Sequence, residues 1–286
     1  MKNKIYGYEE LENSDLIVDA VYEGGSLGNY GDDPIHKILA VANSGGIRKS
    51  IKSKKVNYVV LFSTNNEKEW PDFFDSSTGI LRYYGDNRTP GKDIKDTSRK
   101  GNILLENIFH MADEEELRKG IPLIFVFEKY PTENSKRSVK FLGLFVPGSY
   151  TSNLSESLIA VWKKSGKNRF QNYEAFFSCL DIREIKRSEI NELSLNGVNK
   201  FNNPVWTKYI KYGLSSNLVL KSQNNDYHIE SKNEQLPTSS SELKVLKHIY
   251  EYYSRDSYKF EKFAAKIVEM MDKNFIEIEL TRPFRD

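Results

Sequence analysis

The chain has 286 residues, room for one large domain or two ordinary ones. Hydrophobic residues make up 38% and aromatics 13%, so an apolar core is available with rings to spare. A net charge of +2 excludes a general polycation, so any affinity for nucleic acid must come from local basic patches.

Residues 1–22 read as a short helix or turn and then a strand through Leu16-Ile17-Val18-Asp19-Ala20-Val21-Tyr22. A Gly-rich stretch follows over 23–34, and Asp33-Pro34 suits the N-cap and first turn of a helix over 35–41. Asn43-Ser44-Gly45-Gly46-Ile47-Arg48 sets a Gly pair beside a cation. Two readings fit it. One is a loop entering a DNA groove, with Arg48 contacting bases or filling the gap left by a flipped nucleotide. The other is a helix C-cap and a turn. Lys49, Lys52, Lys54 and Lys55 form a basic cluster, which is a solvated face or a set of phosphate contacts. Residues 56–64 read as a strand buried on both faces.

The central stretch is Ile80-Leu81-Arg82-Tyr83-Tyr84-Gly85-Asp86-Asn87-Arg88-Thr89-Pro90-Gly91-Lys92-Asp93, then Arg99-Lys100-Gly101-Asn102. It is good turn chemistry with solvated charges. It also holds the parts of a nucleobase pocket: ring faces, an Asp or Asn edge reader, and cationic phosphate clamps. Tyr83 and Tyr84 close a strand and point to opposite sides, so only one faces a pocket. Asn102 opens an amphipathic helix with Ile103, Leu104, Ile108 and Phe109 as its stripe; it binds a phosphate or caps the helix, and propensity favours the cap.

Residues 121–128 and 139–146 read as strands joined by a polar hairpin loop. Lys163, Lys164, Lys167 and Arg169 form a basic segment, and 177–185 reads as a strand. Tyr173, Phe176 and Phe177 are assigned to the core; Arg169 and Gln171 face DNA, or the segment forms a salt bridge through Arg169. Residues 204–213 form a short helix with a Gly C-cap and Trp206 as packing anchor. Residues 221–241, rich in Ser, Asn, Lys and Glu, read as a linker. Helices follow over 241–253 and 260–271.

Cys179, the single cysteine, excludes an internal disulfide and a multi-cysteine zinc site; it sits in an apolar run as inert core and fits a reducing compartment. His36, His110, His228 and His248 show no metal-ligand spacing, and no P-loop or Gly-x-Ser-x-Gly elbow is present. No leader or membrane-length apolar run is visible, so a cytoplasmic protein is expected.

The runs Glu69-Trp70-Pro71-Asp72, Gly79-Ile80, Tyr83-Tyr84-Gly85-Asp86-Asn87, Pro90-Gly91-Lys92-Asp93 and Gly101-Asn102-Ile103-Leu104-Leu105 resemble the N-terminal domain of AspBHI-type restriction endonucleases, modification-dependent enzymes related to MspJI. The Gly-Gly-aliphatic-Arg segment at 45–48, Arg169-Phe170-Gln171-Asn172-Tyr173 and the 204–213 helix resemble elements of the same family. The resemblance implies an SRA-like domain that flips 5-methylcytosine out of the duplex, followed by an Mrr-like nuclease domain. Residues 275–286, with Thr281-Arg282-Pro283, resemble the opening of that nuclease domain, and Glu261 stands where related nucleases carry a helix Glu. The metal-binding acids and lysine would then lie past Asp286, so the chain is expected to be a fragment, natural or truncated.

The expected fold is α+β: an SRA/PUA-like curved β-barrel with flanking helices over 1–220, a linker over 221–241, and a helical start of a nuclease domain over 242–286. The expected function is recognition of 5-methylcytosine or 5-hydroxymethylcytosine in double-stranded DNA by base flipping, within restriction-type defence. The base pocket is assigned to Trp70, Tyr83, Tyr84, Asp86 and Asn87, with Asp86 accepting the N4 hydrogen of cytosine. DNA contacts are assigned to Asn43, Arg48, Lys49, Lys52, Arg88, Lys92, Arg99, Lys100, Asn102 and Arg169. No catalytic residue, metal ligand or cofactor is assigned to binding; Mg2+ is expected for the full-length nuclease, which is a possible homo-oligomer. Other readings are a nuclease active in its own right, a reader of phosphorothioate DNA or RNA, and a protein-interaction module.

Overall fold

A computed structural model describes residues 4–52, 55–64, 70–165, 168–196, 201–221, 239–254 and 256–271. The chain divides into two units, Met1–Asn225 and Asp226–Asp286. In the first, β1 (Ile5–Tyr6), β2 (Leu16–Ile17) and β3 (Val21–Tyr22) come before α1 (Pro34–Leu39). The single strand expected over 16–22 is broken in two, because Asp19 turns the chain with φ 65°. Asp33 caps α1 as expected, its carboxylate accepting the His36 N–H at 2.7 Å.

The strands β4 (Ile47–Lys52) and β5 (Lys55–Ser63) form a hairpin, and β6 (Phe73–Asp75) and β7 (Ile80–Tyr84) form another. After α2 (Gly101–Asp113) and the short α3 (Glu115–Arg118) come β8 (Leu123–Lys129), β9 (Val139–Pro147), β10 (Leu158–Ser165) and β11 (Asn168–Cys179). A two-residue strand β12 (Glu184–Ile185) pairs with β2, and α4 (Arg187–Asn196) and α5 (Pro204–Tyr212) close the unit. The strand expected over 177–185 is therefore displaced: most of its length lies earlier, in β11.

The main sheet runs β4-β5-β8-β9-β11-β7-β6, with β10 beside β11 and β3 beside β9. Pairing is antiparallel except between β5 and β8 and between β1 and β3. Among the described residues β4 and β6 do not pair with each other, so the expected barrel is an open sheet.

Strand alternation sends two apolar sets to opposite faces. Tyr58 and Val60 of β5 with Phe125 and Phe127 of β8 pack under α1, α4 and α5, where Trp206 is buried as the expected anchor. Val59, Leu61, Ile124 and Val126 pack on the other side with Leu104, Leu105, Ile108 and Phe109 of α2. Leu105, not Ile103, completes that stripe, giving the spacing 104, 105, 108, 109, 112 of one helix face. Cys179 is fully buried in this second core.

β9 serves both cores by changing phase. Phe141 and Leu144 both face the first core although they are an odd number of residues apart. The phase changes at Gly143, where φ is 134° and the β8–β9 register shifts. A Cβ at this position would stand 2.7 Å from the Cys179 Sγ.

The second unit contains α6 (Ser240–Tyr253) and α7 (Ser257–Met271). Ser239 caps α6 by accepting the Glu242 N–H, and Tyr253 stacks on Phe263 at 5.0 Å between centroids. Most of the expected linker and all of 275–286 lie outside the described residues. Among the described residues no helix is long and apolar enough to cross a membrane.

Gly143→Ala should destabilise the chain by about 2 kcal/mol or more, combining a disfavoured backbone angle with overpacking against Cys179. A urea unfolding midpoint indistinguishable from wild type would show that β9 does not depend on this phase change.

Candidate nucleic-acid interface

Strand β7 ends at Tyr84, and the chain turns at Gly85. No side chain fits there: a Cβ would lie 1.8 Å from the Asn102 Oδ1 and 2.6 Å from the Asn172 Oδ1. Beyond it a closed hydrogen-bond network holds the loop. The helix α2 follows Lys100, which has φ 55° and gives no side-chain cap. Asp86 supplies the cap from across the loop. Its Oδ2 accepts the Gly101 N–H and its Oδ1 the Asn102 N–H, each at 2.9 Å. Asn102 returns the bond, its Oδ1 accepting the Asp86 N–H at 3.0 Å. A carboxylate here satisfies two open donors and faces the positive end of the helix dipole.

Three asparagine amides complete the brace. Asn172 Oδ1 accepts from Asn102 Nδ2 at 3.0 Å and from the Asn87 N–H at 3.3 Å, while its Nδ2 donates to the Gly85 carbonyl at 2.9 Å. Asn87 Nδ2 donates to the Gln171 carbonyl at 2.8 Å, and Asn102 Nδ2 to the Ile94 carbonyl at 2.7 Å. Asn87, Asn102 and Asn172 are all buried. Asn87 and Asn102, expected to touch base and phosphate, are thus framework. Asp86 remains half-buried, with two of its roughly four acceptor positions used.

The tyrosines split as alternation requires. Tyr83 lies in the core with its hydroxyl 3.4 Å from the Phe62 carbonyl. Burial, and next the Asp72 carboxylate, push its phenol well above the ordinary value. Its ring offers no free face, which corrects its assignment to the pocket. Tyr84 is half-buried and meets Trp70 at 5.3 Å between centroids. Its hydroxyl donates to Glu174 at 2.7 Å, and its N–H to Asp72 at 2.9 Å. Burial first, then Glu174, push its phenol up to about 12. Trp70 is buried, edge-on to Phe170, with the Lys163 ammonium 5.1 Å from its ring, so it backs Tyr84 and offers no open face, which corrects its assignment to the pocket as well.

The cations divide into two groups. Arg48 is 3% exposed and cannot enter a groove. Its guanidinium bonds Asp33 at 2.7 Å, the Gly45 carbonyl at 2.8 Å and the Ala42 carbonyl at 3.1 Å, so it ties the 42–46 loop to the start of α1. Lys52 is also elsewhere, its ammonium on the Leu195 and Ser194 carbonyls at the end of α4. The exposed group surrounds the braced loop. Arg99 bonds the Ser44 carbonyl and, at 2.9 Å, its hydroxyl, which staples Asn43's loop to the approach of α2. Lys49 reaches the Arg99 carbonyl at 3.4 Å. Lys92 and Lys100 flank Asp96 at 4.0 and 3.8 Å. Arg88 is exposed and, among the described residues, has no ion pair. Arg169 is exposed over the Trp162 ring.

Two cavities of about 270 and 350 Å³ lie beside α5, and Asp86 lines neither. Asn172, Glu174 and Asp72 were not singled out from sequence. A usable signal existed for Asn172: it keeps step with Phe170 in β11, so a polar group falls at an inward-facing position.

The family model for the restriction endonuclease AspBHI N-terminal domain matches residues 16–221. Among solved structures, the DNA recognition domain of the cytosine modification-dependent restriction endonuclease LpnPI is 42% identical, over 78% of this chain and 98% of that one, with a TM-score of 0.72. The DNA modification-dependent restriction endonuclease AspBHI is 36% identical, over 77% and 100%, with a TM-score of 0.70. The MspJI restriction endonuclease in complex with a 27-mer oligonucleotide shares the fold at 17% identity, over 93% and 67%, with a TM-score of 0.57. No curated protein matches by sequence.

Asn172→Ala should cost about 2–4 kcal/mol, because it strands the Gly85 carbonyl and the Asn102 amide in a buried site. Chemical denaturation beside wild type checks it; a loss under about 0.5 kcal/mol would mean the brace is dispensable. For Tyr84 the folded phenol titrates above its unfolded value. Its contribution is therefore complete below about pH 10 and drains away as pH rises through 12. The stability gap between wild type and Tyr84→Phe, followed by thermal melts from pH 8 to 12, should move toward Tyr84→Phe over that interval and be flat below it.

Proposed function

The chain belongs to the family of AspBHI N-terminal restriction-endonuclease domains, and from that premise we propose that it reads DNA for a modification-dependent restriction endonuclease, binding duplexes at a modified cytosine. The observation that carries this reading is the 42% identity spread over 98% of a cytosine-modification recognition domain. The first unit is then the reading domain, and the second the start of the cutting portion.

In the proposed mechanism the exposed Lys49, Arg88, Lys92, Arg99 and Lys100 neutralise phosphates around the braced loop. This supplies salt-sensitive, sequence-independent affinity. The modified cytosine leaves the stack, at a cost of a few kcal/mol. Its face meets the half-buried Tyr84 ring, which Trp70 backs from the core, and the unused lone pairs of Asp86 accept an N4 hydrogen, the pairing a carboxylate favours. A 5-methyl group buried in an apolar niche contributes about 1 kcal/mol. The brace supports this reading by holding Asp86 in place before DNA arrives, so little ordering is left to binding. The described residues do not fit a Mg2+ site, since no three carboxylate, histidine or cysteine side chains converge among them.

Duplexes with plain, 5-methyl, 5-hydroxymethyl and glucosylated cytosine, with RNA and phosphorothioate DNA as competitors, test the reading by mobility shift. Asp86→Asn keeps one acceptor for α2 but presents an N–H where the base also donates. The ratio of modified to plain binding should fall to near one while salt-dependent binding persists. A variant that melts like wild type yet keeps its selectivity would remove Asp86 from the reading role.

A further inference from the structure

A further exposed surface lies at the edge of the main sheet. Among the described residues β10 pairs only with β11, so the two strands form a ribbon at the sheet's edge. Trp162 stands opposite Gln171, and Lys164 opposite Arg169. Directly opposed residues share a face, so these four point the same way. Trp162 is 57% exposed, an unusual load for an edge strand, where bare apolar surface invites unwanted pairing. The Arg169 guanidinium carbon lies 5.0 Å from the Trp162 ring centroid. Among the described residues Arg169 has no ion pair, so the indole is its partner. A guanidinium stacked this way keeps its in-plane N–H donors free and gives up little further freedom on binding.

The ribbon is fixed to the loop that carries the exposed cations. The Gln171 carbonyl accepts the Asn87 Nδ2, and Gly91 lies alongside Asn168. Behind it, Lys163 faces Trp70. The open face presents Lys164 and Arg169 beside one large ring, and Arg88 and Lys92 are exposed on the loop fixed to the same ribbon, the charge complement of a polyanion with flat, stackable parts. A two-stranded ribbon has the width of the DNA major groove.

We infer that this face reads bases flanking the modified cytosine, with Arg169, held flat on Trp162, donating two hydrogen bonds to a guanine edge in the groove. The inference rests on the reading that the chain binds duplex DNA and goes beyond it to sequence preference. Lys164 serves phosphate, and Gln171 sits beside Arg169 where an adjacent base edge would lie.

The test is fluorescence anisotropy of the full chain with duplexes that carry one 5-methylcytosine and vary at the flanking positions, alongside the same duplexes unmethylated. Wild type should favour guanine at one flanking position. Arg169→Ala should lose about 10- to 100-fold on the favoured duplex and flatten that preference, with the methylated-to-plain ratio unchanged. Arg169→Lys keeps the charge but lacks the fork, so it should hold general affinity and still lose the guanine preference. Trp162→Ala should act like a partial Arg169→Ala. Lys164→Ala should weaken every duplex alike and lower the salt slope. All three positions are on the surface, and thermal melts check that the four variants fold. The inference is overturned if wild type shows no flanking preference, or if Arg169→Ala weakens all flanks equally. If wild type ignores methylation but Arg169 still sets the flank, the functional reading fails and this one stands. If no duplex binds at low salt, both fall.

Discussion

Everything at the candidate interface depends on how α2 begins. A helix that starts after a left-handed lysine with no local cap has open N–H groups, and burying them unpaired would cost several kcal/mol. Asp86 supplies acceptors from fifteen residues upstream, and Asn102 bonds back to its backbone. That exchange fixes the two ends of a long loop against each other. Asn172 then fastens both to β11. The loop is shaped by satisfied polar groups more than by apolar packing, which makes its geometry specific, because a partly satisfied network in a low-dielectric interior is worse than none.

The basic residues show the same economy. Two cations that look available in the sequence are structural. Arg48 is buried on Asp33, and Lys52 sits on carbonyls at the end of α4. Removing one partner of the Arg48–Asp33 pair would leave a buried charge uncompensated, and Asp33 also caps α1. The cations that remain exposed line the loop and the ribbon beside it. A chain of nearly neutral net charge can therefore set several exposed cations around one loop, although Asp96 in that loop offsets part of the charge of Lys92 and Lys100.

The sequence pattern carried the element order well. The helix after Asp33-Pro34, the strand over 56–64, the helix opening near Asn102 and the Gly213-capped helix all follow from local signals, and Tyr83 and Tyr84 separate as period two demands. What it could not carry were partners distant in the chain. Nothing local says that Asp86 caps a helix across a loop, that Asn87 and Asn102 are buried, or that Arg48 meets Asp33. Each of these polar residues has a sound exposed reading, and only the fold decides. The misplaced strand over 177–185 has a different cause: its polar first half, Arg169 to Glu174, hides the alternation that places Phe170 and Asn172 inward.

The parallel pairing of β5 with β8 and the pairing of β7 with β11 have a consequence for the order of assembly. The loop at 85–100 lies inside the crossover between β5 and β8, yet its shape is set by residues 171–174. During synthesis the loop emerges well before the strand that fixes it, an interval of about 4 to 16 s at ordinary elongation rates. Through that interval Asn87 and Asn102 lack their partners in β11, Gln171 and Asn172. The braced loop is thus among the last parts of its unit to gain all its partners, and a nascent chain stalled before residue 170 would display the motif without its form.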